Sequence, residues 1–112
     1  MRTPSDNDFT VDVPGIGLFR YGRRTFGDRI AIRRTFLQLT KELSDSEDGA
    51  LVSLASIVAV HSALCVEAPK GWEDLAAIDL LDEPDAERKV FQIYDALRAT
   101  EDSFRQGASK NS

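Results

Sequence analysis

Phe9, Val11 and Val13 alternate with Asp8, Thr10 and Asp12, the two-residue period of a strand that buries one face. Pro14-Gly15-Ile16-Gly17 then supplies residues that turn a chain, and Leu18-Phe19-Arg20-Tyr21 reads as a second short strand. The spacing predicts a β-hairpin over residues 8–22. A lone hairpin is unstable in water, so this one must pack on helices or pair with another chain.

From Thr25 the period lengthens to that of a helix. Thr25 with Asp28 three residues on matches a capping box. Phe26, Ile30 and Leu37, flanked by Ile32, Phe36, Leu39 and Leu43, predict a broad buried stripe on a helix over residues 25–43. Arg29, Arg33 and Arg34 fall at its edges or opposite it. Ser44 and Glu47 repeat the capping pattern ahead of a second helix over residues 45–66, apolar on nearly all sides and therefore central. Ala68-Pro69-Lys70-Gly71 ends that helix, and Leu75, Ile78 and Leu81 have the spacing of a short further one. Pro84, Asp85 and Glu87 suit a first turn. Val90, Phe91, Tyr94, Leu97 and Phe104 then share one side of a last helix over residues 84–105, with Gly107 as its stop. The prediction is a single α+β domain over residues 8–105, an N-terminal β-hairpin followed by a bundle of three to four helices. Residues 1–7 and 106–112 hold almost no large apolar side chain and are expected to be mobile tails.

Composition adds bounds to this picture. With 112 residues, 42% of them apolar, the chain has material for one core without help from a metal or disulfide. Cys65 is the single cysteine, which suits a reducing compartment. No secretory signal is expected, and the longest apolar run, Ala50 to Val66, is broken by Ser53, Ser56, His61 and Ser62, so no membrane partner is expected either. The net charge of −5 conceals a polarity. Arg20 to Arg34 contains six arginines against Asp28 alone, whereas Glu67 to Arg105 contains eleven acids against five bases. Such a division predicts ion pairs between elements first and an acidic partner second.

Catalytic chemistry finds little support. His61 and Cys65 fall one helical turn apart in this reading, but inside the most apolar segment, where packing is their expected use. No residues have zinc-ligand spacing, no carboxylate pair stands in an apolar setting, and Gly15-Ile16-Gly17 lacks the rest of any phosphate-binding fingerprint. A non-enzymatic binding protein is expected, with no catalytic residue, metal or cofactor. Phe19, Tyr21 and Phe26 lie among the arginines, where aromatic rings either pack a core or grip a partner. Phe19, Tyr21, Arg23, Arg24, Arg29, Arg33 and Trp72 are the candidate partner-binding residues.

The run Phe9-Thr10-Val11-Asp12-Val13-Pro14-Gly15-Ile16-Gly17-Leu18-Phe19, then Arg23-Arg24-Thr25-Phe26-Gly27-Asp28, then Ala68-Pro69-Lys70-Gly71-Trp72, and finally Ala96-Leu97-Arg98 and Glu101-Asp102-Ser103-Phe104-Arg105, follow one another across residues 8–105. In that order they resemble the tail assembly chaperones of long-tailed bacteriophages, small proteins encoded between the tail tube and tape-measure genes. The resemblance implies a protein that binds the tape-measure protein, keeps it soluble and promotes assembly of the tail tube protein around it. Self-association, action in the host cell cytoplasm and absence from the mature virion are the accompanying expectations. Such a family offers no catalytic residue to carry over. Two alternatives stand beside it: a structural neck or tail-completion protein, and a small nucleic-acid-binding regulator using Arg20–Arg34.

Overall fold

The computed structural model describes residues 2–41, 43 and 49–110. Strands β1 (Phe9–Val13) and β2 (Gly17–Tyr21) form the expected antiparallel hairpin, with Val11 opposite Phe19 and Val13 opposite Gly17. The alternation places Val11, Val13, Phe19 and Tyr21 in the core and leaves Thr10, Asp12 and Leu18 outside. Gly17 is required at the turn for two reasons. Its φ is +142°, and a Cβ there would come 2.7 Å from Cγ of Pro69.

Helix α1 (Phe26–Thr40) begins at the predicted cap, with both halves of the box made. The Asp28 amide donates to Oγ1 of Thr25 at 3.1 Å, and the Thr25 amide donates to the Asp28 carboxylate at 2.8 Å. The helix stops short of Leu43, whose amide donates to the Thr40 carbonyl. Helix α2 (Gly49–Leu64) follows and contributes Ile57, Ala59, Val60, His61 and Leu64 to the core. The expected Ser44–Glu47 capping box lies outside the described residues.

After Leu64 the chain does not continue as helix to residue 66. It extends into β3 (Cys65–Glu67), which pairs antiparallel with β2 and completes a sheet of order β1-β2-β3. Cys65 therefore opens a strand and does not sit a helical turn after His61. A three-residue apolar stretch looks the same in either state, and the free edge of β2 decides the matter. The partner expected for the hairpin is thus found within the chain.

Trp72 packs behind the Pro69–Gly71 turn, and the next segment forms one 3-10 turn, Leu75–Ala77, capped by Asp74. Helix α3 (Ala86–Lys110) starts after Pro84, not at it, and runs through Gly107 without stopping. Its buried side is Ala86, Val90, Ile93 and Leu97, spaced by four, three and four residues; Phe91 and Tyr94 are only half-buried. Ile93, absent from the predicted face, is among the most deeply buried residues.

Residues 2–7 are held, not loose. The Arg2 amide donates to the Cys65 carbonyl at 3.2 Å, and its guanidinium pairs with Asp28 at 2.7 Å and reaches the Arg23 carbonyl. The Arg2 side chain occupies the space a Cβ on Gly22 would need. Asp8 accepts from the Ser5 amide and pairs with Arg20 at 3.1 Å.

Candidate partner-binding surface

The stripe expected to bury α1 does not bury it. No residue of α1 is buried: Phe26 is 80% exposed, Ile30 61%, and Leu37 50%. The helix packs principally against α2 through its opposite flank, where Ile32, Thr35 and Phe36 are half-buried. Phe26, Ile30 and Leu37 stand four and seven residues apart, so they align along one outward face. Leu39 of α1 and Leu51 and Val52 of α2 are exposed as well.

Arginines line this apolar face. Arg29 lies over the Phe26 ring at 5.9 Å and Arg33 over the Phe36 ring at 5.6 Å. With Arg34 they border an open groove of about 820 Å³ that Phe26, Ile30 and Leu37 also line. Among the described residues, none of these three guanidiniums has an ion-pair partner. The neighbouring helix cannot supply one, because Gly49–Leu64 contains no acid.

The N-terminal end of the face is clamped to the body. Arg24 makes a two-point contact with Glu101, through Nε at 3.2 Å and Nη2 at 3.1 Å, and Arg98 joins the same carboxylate at 3.0 Å. Arg23 lies over the Phe104 ring at 4.9 Å, and that ring meets Phe9 edge-on at 5.3 Å. Asp28 fixes the first turn. Partial burial pushes its carboxyl up, but hydrogen bonds from Thr25 and the Arg2 guanidinium together hold it below the usual carboxylate range.

Of the residues singled out in the sequence, Arg29 and Arg33 lie on this face, and Arg23 and Arg24 lie at its N-terminal end, committed to Phe104 and Glu101. Phe19, Tyr21 and Trp72 do not. Phe19 and Tyr21 are fully buried and stacked on each other at 6.0 Å, and Trp72 is buried beside Lys89. Their rings meet the core and are shut off from any partner. Ile30 and Leu37, taken for core, are the residues the sequence reading missed. The signal was present in the interleaved arginines, since a helix packing that stripe inward would have to neutralise Arg29 and Arg33 against α2.

A second polar cluster lies inside the core. His61 has both ring nitrogens engaged, Nδ1 with the Tyr21 hydroxyl at 2.9 Å and Nε2 with the Trp72 carbonyl at 3.0 Å. Cys65 borders the same crevice, of about 270 Å³, together with Glu73 and Asp74. Its thiol donates to the Glu67 carbonyl at 3.4 Å, not to His61. Burial pushes the Cys65 thiol up to about 11 and raises the Tyr21 hydroxyl further. Burial also lowers the pKa of His61. These shifts all favour uncharged groups, the reverse of an activated thiolate–imidazolium pair. Among the described residues, no group of three or more histidine, cysteine or acidic side chains could hold a metal ion, and no helix is long and apolar enough to cross a membrane. Comparison with protein-family models, curated proteins and solved structures finds no match to this chain.

Proposed function

We propose that the protein is a non-enzymatic assembly chaperone, and that the α1 face is where it holds its client. Following the sequence resemblance, the client is a tape-measure protein, kept soluble until tail tube subunits enclose it. The observation that carries the reading is an exposed, aligned apolar stripe bordered by three arginines that have no ion-pair partner among the described residues. A monomer rarely leaves such a stripe in water without a use for it, because apolar area removed from water stabilises a complex by roughly 25 cal/mol per Å². Long helical proteins awaiting enclosure expose apolar stripes of their own, and those with acidic flanks would match Arg29, Arg33 and Arg34.

A nucleic-acid-binding role for Arg20–Arg34 is weaker on two counts. The rings that would stack bases, Phe19 and Tyr21, are buried, and Arg20 and Arg24 are occupied by Asp8 and Glu101.

Co-expression tests the proposal. A tape-measure protein co-expressed with this chain should remain soluble in its presence and co-purify with it. Changing Arg29→Glu together with Arg33→Glu should weaken capture on the order of tenfold or more while the fold stays intact. Capture undiminished in a folded double variant would remove α1 from the binding role. A client equally soluble without this protein would remove the chaperone reading itself.

A further inference from the structure

The α1 groove has a complement elsewhere in the same chain. Between the 3-10 turn and α3 the sequence reads Asp79-Leu80-Leu81-Asp82-Glu83, and the two leucines are 69% and 93% exposed. They are held outward by a tight turn. Oδ1 of Asp79 accepts from the Leu81 amide at 2.8 Å, and the Asp79 carbonyl accepts from the Glu83 amide at 2.9 Å. Two adjacent large apolar side chains at a fixed turn, framed by acids, form a plug: apolar at the tip and negative at the rim. The groove on α1 is apolar at its floor and positive at its rim, and the plug does not reach it within one chain, since no residue of 78–85 lines it.

We infer that the protein self-associates by seating the Asp79–Glu83 turn of one copy in the α1 groove of another. Leu80 and Leu81 meet Phe26, Ile30 and Leu37. Asp79 and Asp82, which have no ion-pair partner among the described residues, face Arg29, Arg33 and Arg34. Glu83 is already paired with Lys89 at 2.7 Å and stays in its own molecule. Because the two surfaces differ, each copy offers one groove and one plug. The contact therefore builds chains or closed rings, or a dimer in which both contacts form reciprocally. A groove held by a sibling is also a groove kept out of water until a client displaces the plug. That last step rests on the chaperone reading; the self-association does not.

The test uses two variants of the full chain, both altered only at exposed positions. Leu80→Ser with Leu81→Ser removes the plug and keeps the groove, whereas Arg29→Glu with Arg33→Glu spoils the groove and keeps the plug. Sedimentation velocity at low salt should show mass rising with concentration for the unaltered protein. Each variant alone should associate on the order of tenfold or more weakly. An equimolar mixture of the two should recover association, because one supplies the groove and the other the plug. Raising the salt should weaken association throughout. Circular dichroism confirms that both variants fold. An unaltered protein that stays monomeric, variants that associate as it does, or a mixture that fails to recover would each overturn the inference. The client assay separates the two readings. A plug variant that no longer self-associates but still captures the client upholds both. Loss of capture by that variant would count against the chaperone reading and leave the self-association standing.

Discussion

The Trp72 carbonyl can only accept, so Nε2 of His61, 3.0 Å away, carries the imidazole proton. Nδ1 is then the acceptor, and the Tyr21 hydroxyl donates to it. His61 is thus a neutral tautomer fixed at both ends, tying α2 to β2 and to the turn before the 3-10 segment. Burial lowers its pKa below 6.5, and the Trp72 hydrogen bond and the Asp74 charge offset this only in part. The sign of the pH effect follows. Above 6.5 both folded and unfolded chains hold the ring neutral, and its contribution to stability is complete. As the pH falls through 6.5 the unfolded chain takes up a proton that the folded chain refuses. Stability then declines until the depressed folded pKa is passed, with a slope of at most about 1.4 kcal/mol per pH unit. Urea unfolding of the protein and of His61→Gln, from about pH 7.5 to about pH 5.5, should give a stability difference that shrinks as acid is added. Carboxylates titrate in both proteins and cancel. A difference independent of pH would mean that the ring is not held neutral.

Helix α1 shows what is local and what is not. Its cap depends on residues three apart, and Thr25 and Asp28 announced it in the sequence. Its burial depends on neighbours far along the chain, which no period records. The same holds for β3: Cys65 and Val66 continue an apolar run without a break, and only the unpaired edge of β2 turns them into strand. The N-terminal segment reads as a tail because residues 1–7 hold almost no large apolar side chain, yet Asp28 and Cys65 hold Arg2 in space. Since α1 buries nothing fully, its stability rests on the cap, the Arg2 and Arg24 clamps and its contact with α2. Thr25→Ala should therefore cost about 1 kcal/mol, measured by urea unfolding. Hydrogen exchange should find α1 amides beyond the first turn opening sooner than those of β2 or the buried stretch of α3. Equal protection across all three would show that the clamps couple α1 to global unfolding.

For the molecule as a whole, the alternation in β1 and β2 fixed the sheet's inner face, and the hairpin-then-helices order was legible from periods alone. The candidate surface was half legible. Arg29 and Arg33 stood out as charge without counter-charge, but the apolar residues between them looked like core because a stripe reads identically whether it faces a neighbouring helix or water. Aromatic rings misled in the opposite direction. Phe19 and Tyr21 flank Arg20 in sequence, yet strand alternation sends Arg20 and the two rings to opposite faces.

That inversion can be measured directly, because it separates residues that hold the molecule together from residues it holds out. Phe19→Ala would open a void under the sheet beside Tyr21 and His61 and should cost about 3–5 kcal/mol. Phe26→Ser with Ile30→Ser removes one aromatic and one aliphatic side chain, more apolar material than Phe19→Ala, but from positions 80% and 61% exposed. Each exposed change should alter stability by no more than about 0.5 kcal/mol. The binding assay should rank them the other way. The Phe26/Ile30 variant should fold with an unchanged urea midpoint and lose client capture, having surrendered the floor of the groove while Arg29 and Arg33 remain. Retained capture would mean that charge alone holds the client, and a large loss of stability would mean that the α1 stripe is packed in solution. Only a helix whose apolar residues are kept for another molecule gives both an intact fold and a lost grip.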